Sequence, residues 1–487
     1  MHETTKAIGA GCVRRGRVGL SVAAGAVGVA VSAPVCSAQF NPAFGQWGKS
    51  DGRDLRVVTY NIEDALCSTN PRKSTVGGDW DALARTIAAL EPDVVLLQEC
   101  GDNSGNGSGS GGDTAGELTA VMELFIEGGA DPFLGGTVTS YVQAYNPELD
   151  YFVFVSQRTD GVNRNVILSR FPFVDLNGDG RSAISDVFFT EADAFNTVNG
   201  NGEVRGTQIA EIDLPDATFA GDLVVANSHF KAGRTSNDFL RRRNAAQVVA
   251  YNIYYWLGGA GTGTPDPNGK VADVPAATSV LGPDDVVIFG GDWNDDDGLL
   301  MDPAAPLLYM LTGGAGVNDG TDRDGTDSAF DGATDFFTGL NGTLGSRKID
   351  YLAYWDSVAS VRRAHVFNAA SFPDPAAVPA AFDGFPSVQN ATVIAADHRA
   401  VFADFEIPLR PEVSCFADFS LEGTCGVAGG DGVTLSDFAC YLSLWSFGAA
   451  RADITLTGSC DVVSGGGDGV DLSDFSCYLS EWSKPCP

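Results

Sequence analysis

Histidine is scarce in this chain, with four in 487 residues. His2 stands close to the start, so imidazole chemistry in the body must draw on His229, His365 or His398. Basic residues are outnumbered, 30 Lys and Arg against 63 Asp and Glu, for a formal net charge of −33. That balance excludes a surface that binds polyanions everywhere. A phosphate-bearing substrate must be drawn in locally or through a cation. Long apolar runs are missing after Val35, which leaves no later segment suited to spanning a bilayer. Cysteine is almost absent from the central body, where only Cys67 and Cys100 occur between Cys36 and Cys415.

What is present divides the chain into four stretches. Arg14, Arg15 and Arg17 precede a small, apolar run from Val18 to Val35, the pattern of an export signal cleaved after Ala38. The same run also suits an uncleaved anchor, and export to a periplasm or beyond the cell is the expectation in either case. Residues 39–53 read as a linker. Residues 54–408 read as one globular domain, and residues 412–487 as a duplicated tail.

In the central domain, Leu55–Tyr60 and Val94–Leu97 are apolar strands. Between them Trp80, Leu83, Ala84, Ile87 and Leu90 recur on one helical face. Asp79 is placed to cap that helix, and Pro92 follows its end. This is a βαβ unit, which puts Asn61 and Glu99 at the same end of neighbouring parallel strands. Further strands are expected at 151–155, 165–168, 223–226 and 286–289, around Asp350 and at 401–403, with a helix starting near Ser236. The Gly-, Ser- and Asp-rich segment 101–116 reads as a loop directly after Glu99, and the Gly-, Asp- and Thr-rich segment 312–346 as a second loop. Cys67 and Cys100, each after a strand end, are expected to bridge; two buried thiols are the alternative.

Polar clusters recur where these strands end. They are Tyr60-Asn61, Gln98-Glu99, Asn227-Ser228-His229, Gly291-Asp292-Trp293-Asn294, Ile349-Asp350-Tyr351 and Asp397-His398-Arg399. Open α/β sheets build their sites at such ends. Glu99 and Asp397 offer hard oxygen ligands for magnesium or manganese, and Asn61 adds a neutral oxygen. His398 can accept a proton from water, with Asp350 fixing its tautomer. His229 can donate to phosphate. Asp292 and Asn294, two residues apart, can hold water and a phosphoryl oxygen, or form an ordinary Asx-turn. Lys231, Arg234, Arg241, Arg242 and Arg243 are the one basic patch, either a phosphate guide or a solvated helix face. Asp175, Asn177 and Asp179, with Asp186 at the twelfth place, match a structural calcium loop or a plain Asx/Gly turn.

The six clusters, in this order across residues 54–407, resemble the endonuclease/exonuclease/phosphatase superfamily of DNase I-like enzymes. That resemblance implies a four-layered α/β sandwich with two mixed sheets. It also implies a divalent-metal-dependent phosphodiesterase working by in-line attack of water, which the N-terminal signal would make an exported one. Its roles are a metal at Asn61, Glu99 and Asp397, phosphate contact by His229, and water and transition-state handling by Asp292 and Asn294. Asp350 and His398 act as the orienting acid and the base. The segment from Arg164 through Asn165 to Ser169-Arg170 resembles the family's strand ending in Ser-Arg, with Asn165 and Arg234 expected at the substrate. The expected substrate is nucleic acid, with a phospholipid or sugar phosphate as alternative. A non-catalytic surface protein displayed through its tail is the reading from another class.

In the tail, Gly430–Ser443 recurs as Gly467–Ser480 with few changes. Six cysteines lie from Cys415 onward, which suggests a small disulfide-rich, mainly helical domain. The repeats resemble GC-type dockerin-like units, which implies a protein or cell-surface partner through residues 412–487.

Overall fold

The computed structural model describes residues 40–101, 112–157, 159, 163–174, 184–187, 207–216, 218–239, 241–242, 245, 282–295, 328–356 and 358–410, with four two-residue strands in the tail. The chain forms two compact units. The first takes residues 1–212, 224–280 and 287–407, and the second takes 213–223, 281–286 and 408–487.

The first unit is α/β. Strand β1 (Leu55–Asn61) leads through helix α1 (Asp79–Leu90) to β2 (Val94–Cys100). The two strands pair in parallel, with Asn61 opposite Gln98. The expected βαβ unit is therefore present. Helix α1 starts at Asp79 itself, with Gly78 at the capping position, one residue earlier than the sequence suggests. Helix α2 (Ala115–Glu127) opens on a capping box of Thr114 and Glu117. A two-strand ribbon, β3 (Gly129–Ala130) with β4 (Thr137–Val138), follows it.

The remaining strands are β5 (Phe152–Val155), β6 (Arg164–Ser169), β7 (Ile184–Val187), β8 (Thr207–Ile212), β9 (Leu223–His229), β10 (Val286–Asp292), β11 (Ser328–Phe330), β12 (Thr334–Asp335), β13 (Asp350–Trp355), β14 (Ser360–Val366) and β15 (Val401–Glu406). They make a seven-stranded mixed sheet, β12-β14-β15-β1-β2-β6-β5, and a six-stranded sheet, β11-β13-β10-β9-β8-β7. Strands β1, β9 and β10 are buried at every position, and β2 at all but Glu99, as strands covered on both faces must be. The outer face of the first sheet shares a core with the helices through Val58, Tyr60, Trp80, Leu83, Ile87, Val95 and Phe125.

The two sheets face each other across a polar seam. Asn227 Nδ2 donates to the carbonyls of Leu97 (2.9 Å) and Val166 (3.1 Å), and its Oδ1 accepts from Gln98 Nε2 at 2.8 Å. Helices, first sheet and second sheet give three of the four expected layers. The fourth falls largely outside the described residues, apart from a short helical start at 236–239 capped by Thr235.

Two expectations are corrected. Residues 40–53 are part of the packed unit and not a free linker. Trp47 is 2% exposed and sits among Phe367, Phe372 and Phe402, while Lys49 pairs with Asp93 at 2.6 Å. Cys67 and Cys100 are two buried thiols and not a disulfide. In an apolar setting burial pushes the Cys100 thiol well above its ordinary value.

In the tail, the described residues are two equivalent hairpins, Ser420–Leu421 with Thr424–Cys425 and Thr455–Leu456 with Ser459–Cys460. They place Cys425 and Cys460 at matching positions of the two repeats. The expected tail helices and disulfides, together with Asp175, Asn177 and Asp179, lie outside the described residues. Asp186 lies in β7, opposite Gln208, as a member of a sheet.

Candidate active site

Four strand ends and one strand start converge at one end of the paired sheets. Asn61 closes β1, Glu99 lies at the end of β2, His229 closes β9 and Asp292 closes β10. Asp350 opens β13, which runs antiparallel to β10 and sets Asp350 directly opposite Asp292. The Asp397-His398-Arg399 segment enters β15 from the other sheet. Residues far apart in the sequence thus meet because both sheets end here.

Two residues reach this arrangement through left-handed backbone, Glu99 (φ 55°) and Asn294 (φ 53°). Such conformations are uncommon outside glycine and cluster at functional sites. Gly291 (φ 141°) explains the glycine pair before Asp292. A Cβ there would lie 1.7 Å from the Ser228 carbonyl oxygen, so β10 can approach β9 this closely only with glycine.

Asp292 is the hub. Its Oδ2 accepts from Asn61 Nδ2 and Asn294 Nδ2, both at 3.1 Å, and its Oδ1 accepts the Asn294 N–H at 2.8 Å. His229 Nε2 lies 3.3 Å from the same Oδ2, 3.6 Å from Glu99 Oε1 and 3.2 Å from Asn294 Nδ2. His398 Nδ1 is 2.8 Å from Asp350 Oδ2, and its Nε2 faces Asp292 Oδ2 at 3.8 Å. Asp397 Oδ1 is also 3.8 Å from that nitrogen. His229, Asp292, Asp350 and His398 are all buried. The side chains of Glu99 and Asp397 are 23% and 51% exposed, which sets them at the mouth.

Burial and the nearby Asp350 carboxylate raise the Asp292 pKa to about 7, against the stabilising donors just named. Burial alone would lower the His398 pKa. The charge and hydrogen bond of Asp350, with Asp292 and Asp397 beyond, outweigh it and push the imidazole up to about 10. At neutral pH the site therefore pairs an imidazolium with a carboxyl group that titrates near neutrality.

The donors suit a hard divalent cation. Asp292, Asp350 and His398 offer ligand atoms within 4.8 Å of one another, and Asp350 Oδ1 is buried with no hydrogen-bond partner. His398 Nδ1 and Asp350 Oδ2 already satisfy each other, so the oxygens of Asp292, Asp350, Glu99 and Asn61 are the better match to magnesium or manganese. Asn61 Oδ1 accepts the Glu63 N–H at 3.1 Å and retains its second lone pair.

Other expectations are redistributed. Asn165, expected at the substrate, is fully buried in β6 and donates to the Asn227 carbonyl at 3.2 Å, which makes it a brace of the seam. Arg242 is a buried brace, its Nη1 donating to the carbonyls of Lys231 (2.7 Å) and Gly233 (2.9 Å). Arg234 is exposed on the turn after His229. Sequence reasoning missed Glu63, which has left-handed backbone (φ 47°) and accepts the Asp397 N–H at 2.9 Å. Desolvation and the adjacent Asp397 raise its pKa. Its place two residues after Asn61 was the one available signal.

No protein-family model and no curated protein matches this chain. Solved structures do resemble it. An endonuclease/exonuclease/phosphatase from Beutenbergia cavernae is 19% identical over 73% of this chain and 72% of that one, with a TM-score of 0.41. The human Nocturnin catalytic domain with bound sulfate is 13% identical over 73% and 95%, with a TM-score of 0.38. D. rerio TDP2 complexed with a single-strand DNA product is 13% identical over 73% and 100%, with a TM-score of 0.37. At such identities the residues of the site itself must carry the functional reading.

Proposed function

We propose that this chain is a divalent-cation-dependent phosphoester hydrolase, with a phosphodiester in nucleic acid as its substrate. The observation that carries the reading is the single network of buried Asn61, His229, Asp292, Asp350 and His398 with half-buried Asn294, ringed by Glu99 and Asp397. Asp292 Oδ2 and His398 Nε2 lie 3.8 Å apart, close enough for both to bond one water lying to the side of the line between them. Asp292, titrating near neutrality, accepts the proton of that water as it attacks phosphorus. His398, kept charged by Asp350, stabilises negative charge on the phosphoryl oxygens. This exchanges the roles first expected for Asp292 and His398, because a base must be unprotonated at the working pH. His229 donates to the same group or to the leaving oxygen, where one well-placed donor contributes roughly 3 kcal/mol, while Asn294 Nδ2 donates to Asp292 Oδ2 and to the Phe230 carbonyl, both at 3.1 Å, and holds Asp292 in place. Glu99 and Asn61, with Asp397 at the rim, would hold the cation, which when bound supplies charge neutralisation and polarisation of a phosphoryl oxygen.

Lys231 and Arg234, on the turn beyond His229, supply local positive charge to an otherwise acidic chain, in keeping with a phosphate-rich substrate. We also propose export through residues 1–38 and attachment to a partner through the repeated tail.

The test is a substrate panel: single- and double-stranded DNA, RNA, sphingomyelin and bis(p-nitrophenyl) phosphate, each with magnesium, manganese or EDTA. The proposal expects nucleic-acid cleavage that stops with EDTA. Hydrolysis confined to lipid would move the substrate class, and cation-independent turnover would remove the mechanism.

A further inference from the structure

We infer that Thr343 is a positioning residue that sets the His398–Asp350 pair in register, through one hydroxyl and one carbonyl. Thr343 is fully buried. Its Oγ1 accepts the N–H groups of Ile349 (3.1 Å) and Asp350 (3.2 Å), where β13 begins. Its carbonyl oxygen accepts the Arg399 N–H at 2.9 Å, one residue beyond His398. Thr343 therefore bonds to the backbone beside both members of the pair.

The turn around it is closed on itself and clamped from the same side. Thr343 N–H donates to the Arg347 carbonyl at 2.7 Å, and Leu344 forms an isolated bridge with His398. Arg399 Nη1 donates to the carbonyls of Gly342 (2.6 Å) and Gly345 (2.7 Å). At the other end of the same segment, Glu63 holds the Asp397 N–H. His398 is thus suspended between two anchored neighbours, and Thr343 also reaches Asp350. Residues 349–350 and 397–399 adjoin different sheets, so strand pairing does not fix their spacing. Thr343 supplies that fixed distance, and Asp350 meets His398 Nδ1 at 2.8 Å as a result.

Valine has the shape of threonine without the hydroxyl. Thr343→Val leaves two buried N–H groups without their acceptor, whereas Thr343→Ser keeps it. The inference rests on the hydrolase reading only for its kinetic readout, so a second readout is taken by proton NMR. The downfield Nδ1–H signal of His398 reports its hydrogen bond to Asp350 whether or not substrate is known. We expect Thr343→Val to shift or abolish that signal and to lower kcat about 10- to 50-fold, with KM changed less than about threefold. Thr343→Ser should keep the signal and stay within about threefold of the parent kcat.

An unaltered signal in a folded Thr343→Val protein would overturn the inference. So would a Thr343→Ser protein that loses as much as the valine variant, an outcome that remains decisive if valine prevents folding. If the parent chain hydrolyses no phosphodiester, the hydrolase reading fails, and the NMR comparison still decides the role of Thr343.

Discussion

In the proposed mechanism Asp292 carries the chemistry, as a buried carboxylate that accepts hydrogen bonds from Asn61 and Asn294. Burial raises its pKa from an ordinary 3.8 to about 7. An acid raised on folding binds its proton more tightly in the native state. The fold is therefore most favoured below about pH 4 for this group, and loses that support as pH rises through about 7. Asp292→Asn removes the penalty at neutral pH. It also sets an NH2 or a lone acceptor against the three N–H donors that Asp292 accepts, so we expect abolished turnover and a stability that no longer changes with pH between about 4 and 7 on account of this group. On the proposed mechanism the parent chain should gain activity as pH rises through about 7 and lose it near pH 10, where His398 gives up its charge. Thermal unfolding of the Asp292→Asn variant beside the parent between about pH 4 and about pH 7, together with a pH–rate profile, checks both statements.

The site was legible at this scale wherever the chemistry was carried by an unusual residue at a strand end. His229, Asp292, Asn294, Asp350 and His398 meet as expected, and the His398–Asp350 bond is present. Glu63 and Thr343 were not legible. Each acts through a backbone N–H distant in the sequence, and threonine in a Gly/Asp/Thr-rich segment carries no periodic signal. Asn165 misled for the opposite reason, since a polar residue in an apolar strand serves a buried seam as readily as a surface.

At the scale of elements, the β9–β10 pair positions His229 against Asp292, and Gly291 makes that approach possible. Gly291→Ala sets a Cβ against the Ser228 carbonyl in a backbone region that L side chains rarely adopt. We expect a loss of at least about 2–3 kcal/mol in urea unfolding, with activity falling further than stability because His229 moves. Unchanged stability would mean that the two strands do not pack this closely.

The βαβ unit and most of the central strands were readable from apolar runs and helical spacing. The order β12-β14-β15-β1-β2-β6-β5 was not. It depends on long-range pairings such as β1 with β15, locked by the buried Arg56–Asp404 ion pair at 2.5 Å. Charged residues at positions 56 and 404 look like solvent-facing interruptions of a strand until their partner is known.

At the scale of the molecule, a net charge of −33 and a site lined by carboxylates make one demand. A substrate phosphate cannot approach Glu99, Asp292, Asp350 and Asp397 unless positive charge offsets them. Lys231, Arg234 and the charged His398 offset only part of it, and on the proposed mechanism a bound divalent cation would supply the remainder. The segment 40–53 shows how composition alone misjudges whole-chain organisation. Its glycines and polar residues resemble a spacer, yet Trp47 fills an aromatic pocket of the first unit.

The central claim is cation-dependent phosphoester hydrolysis at this one site. Its most direct measurement is the rate of bis(p-nitrophenyl) phosphate hydrolysis against magnesium or manganese concentration, for the parent chain and for Glu99→Gln. Removing one carboxylate ligand should weaken apparent cation affinity and lower the rate by at least about 100-fold at fixed cation, with partial recovery at high cation. EDTA should silence the parent chain. Equal rates for parent and variant across the titration would contradict the account.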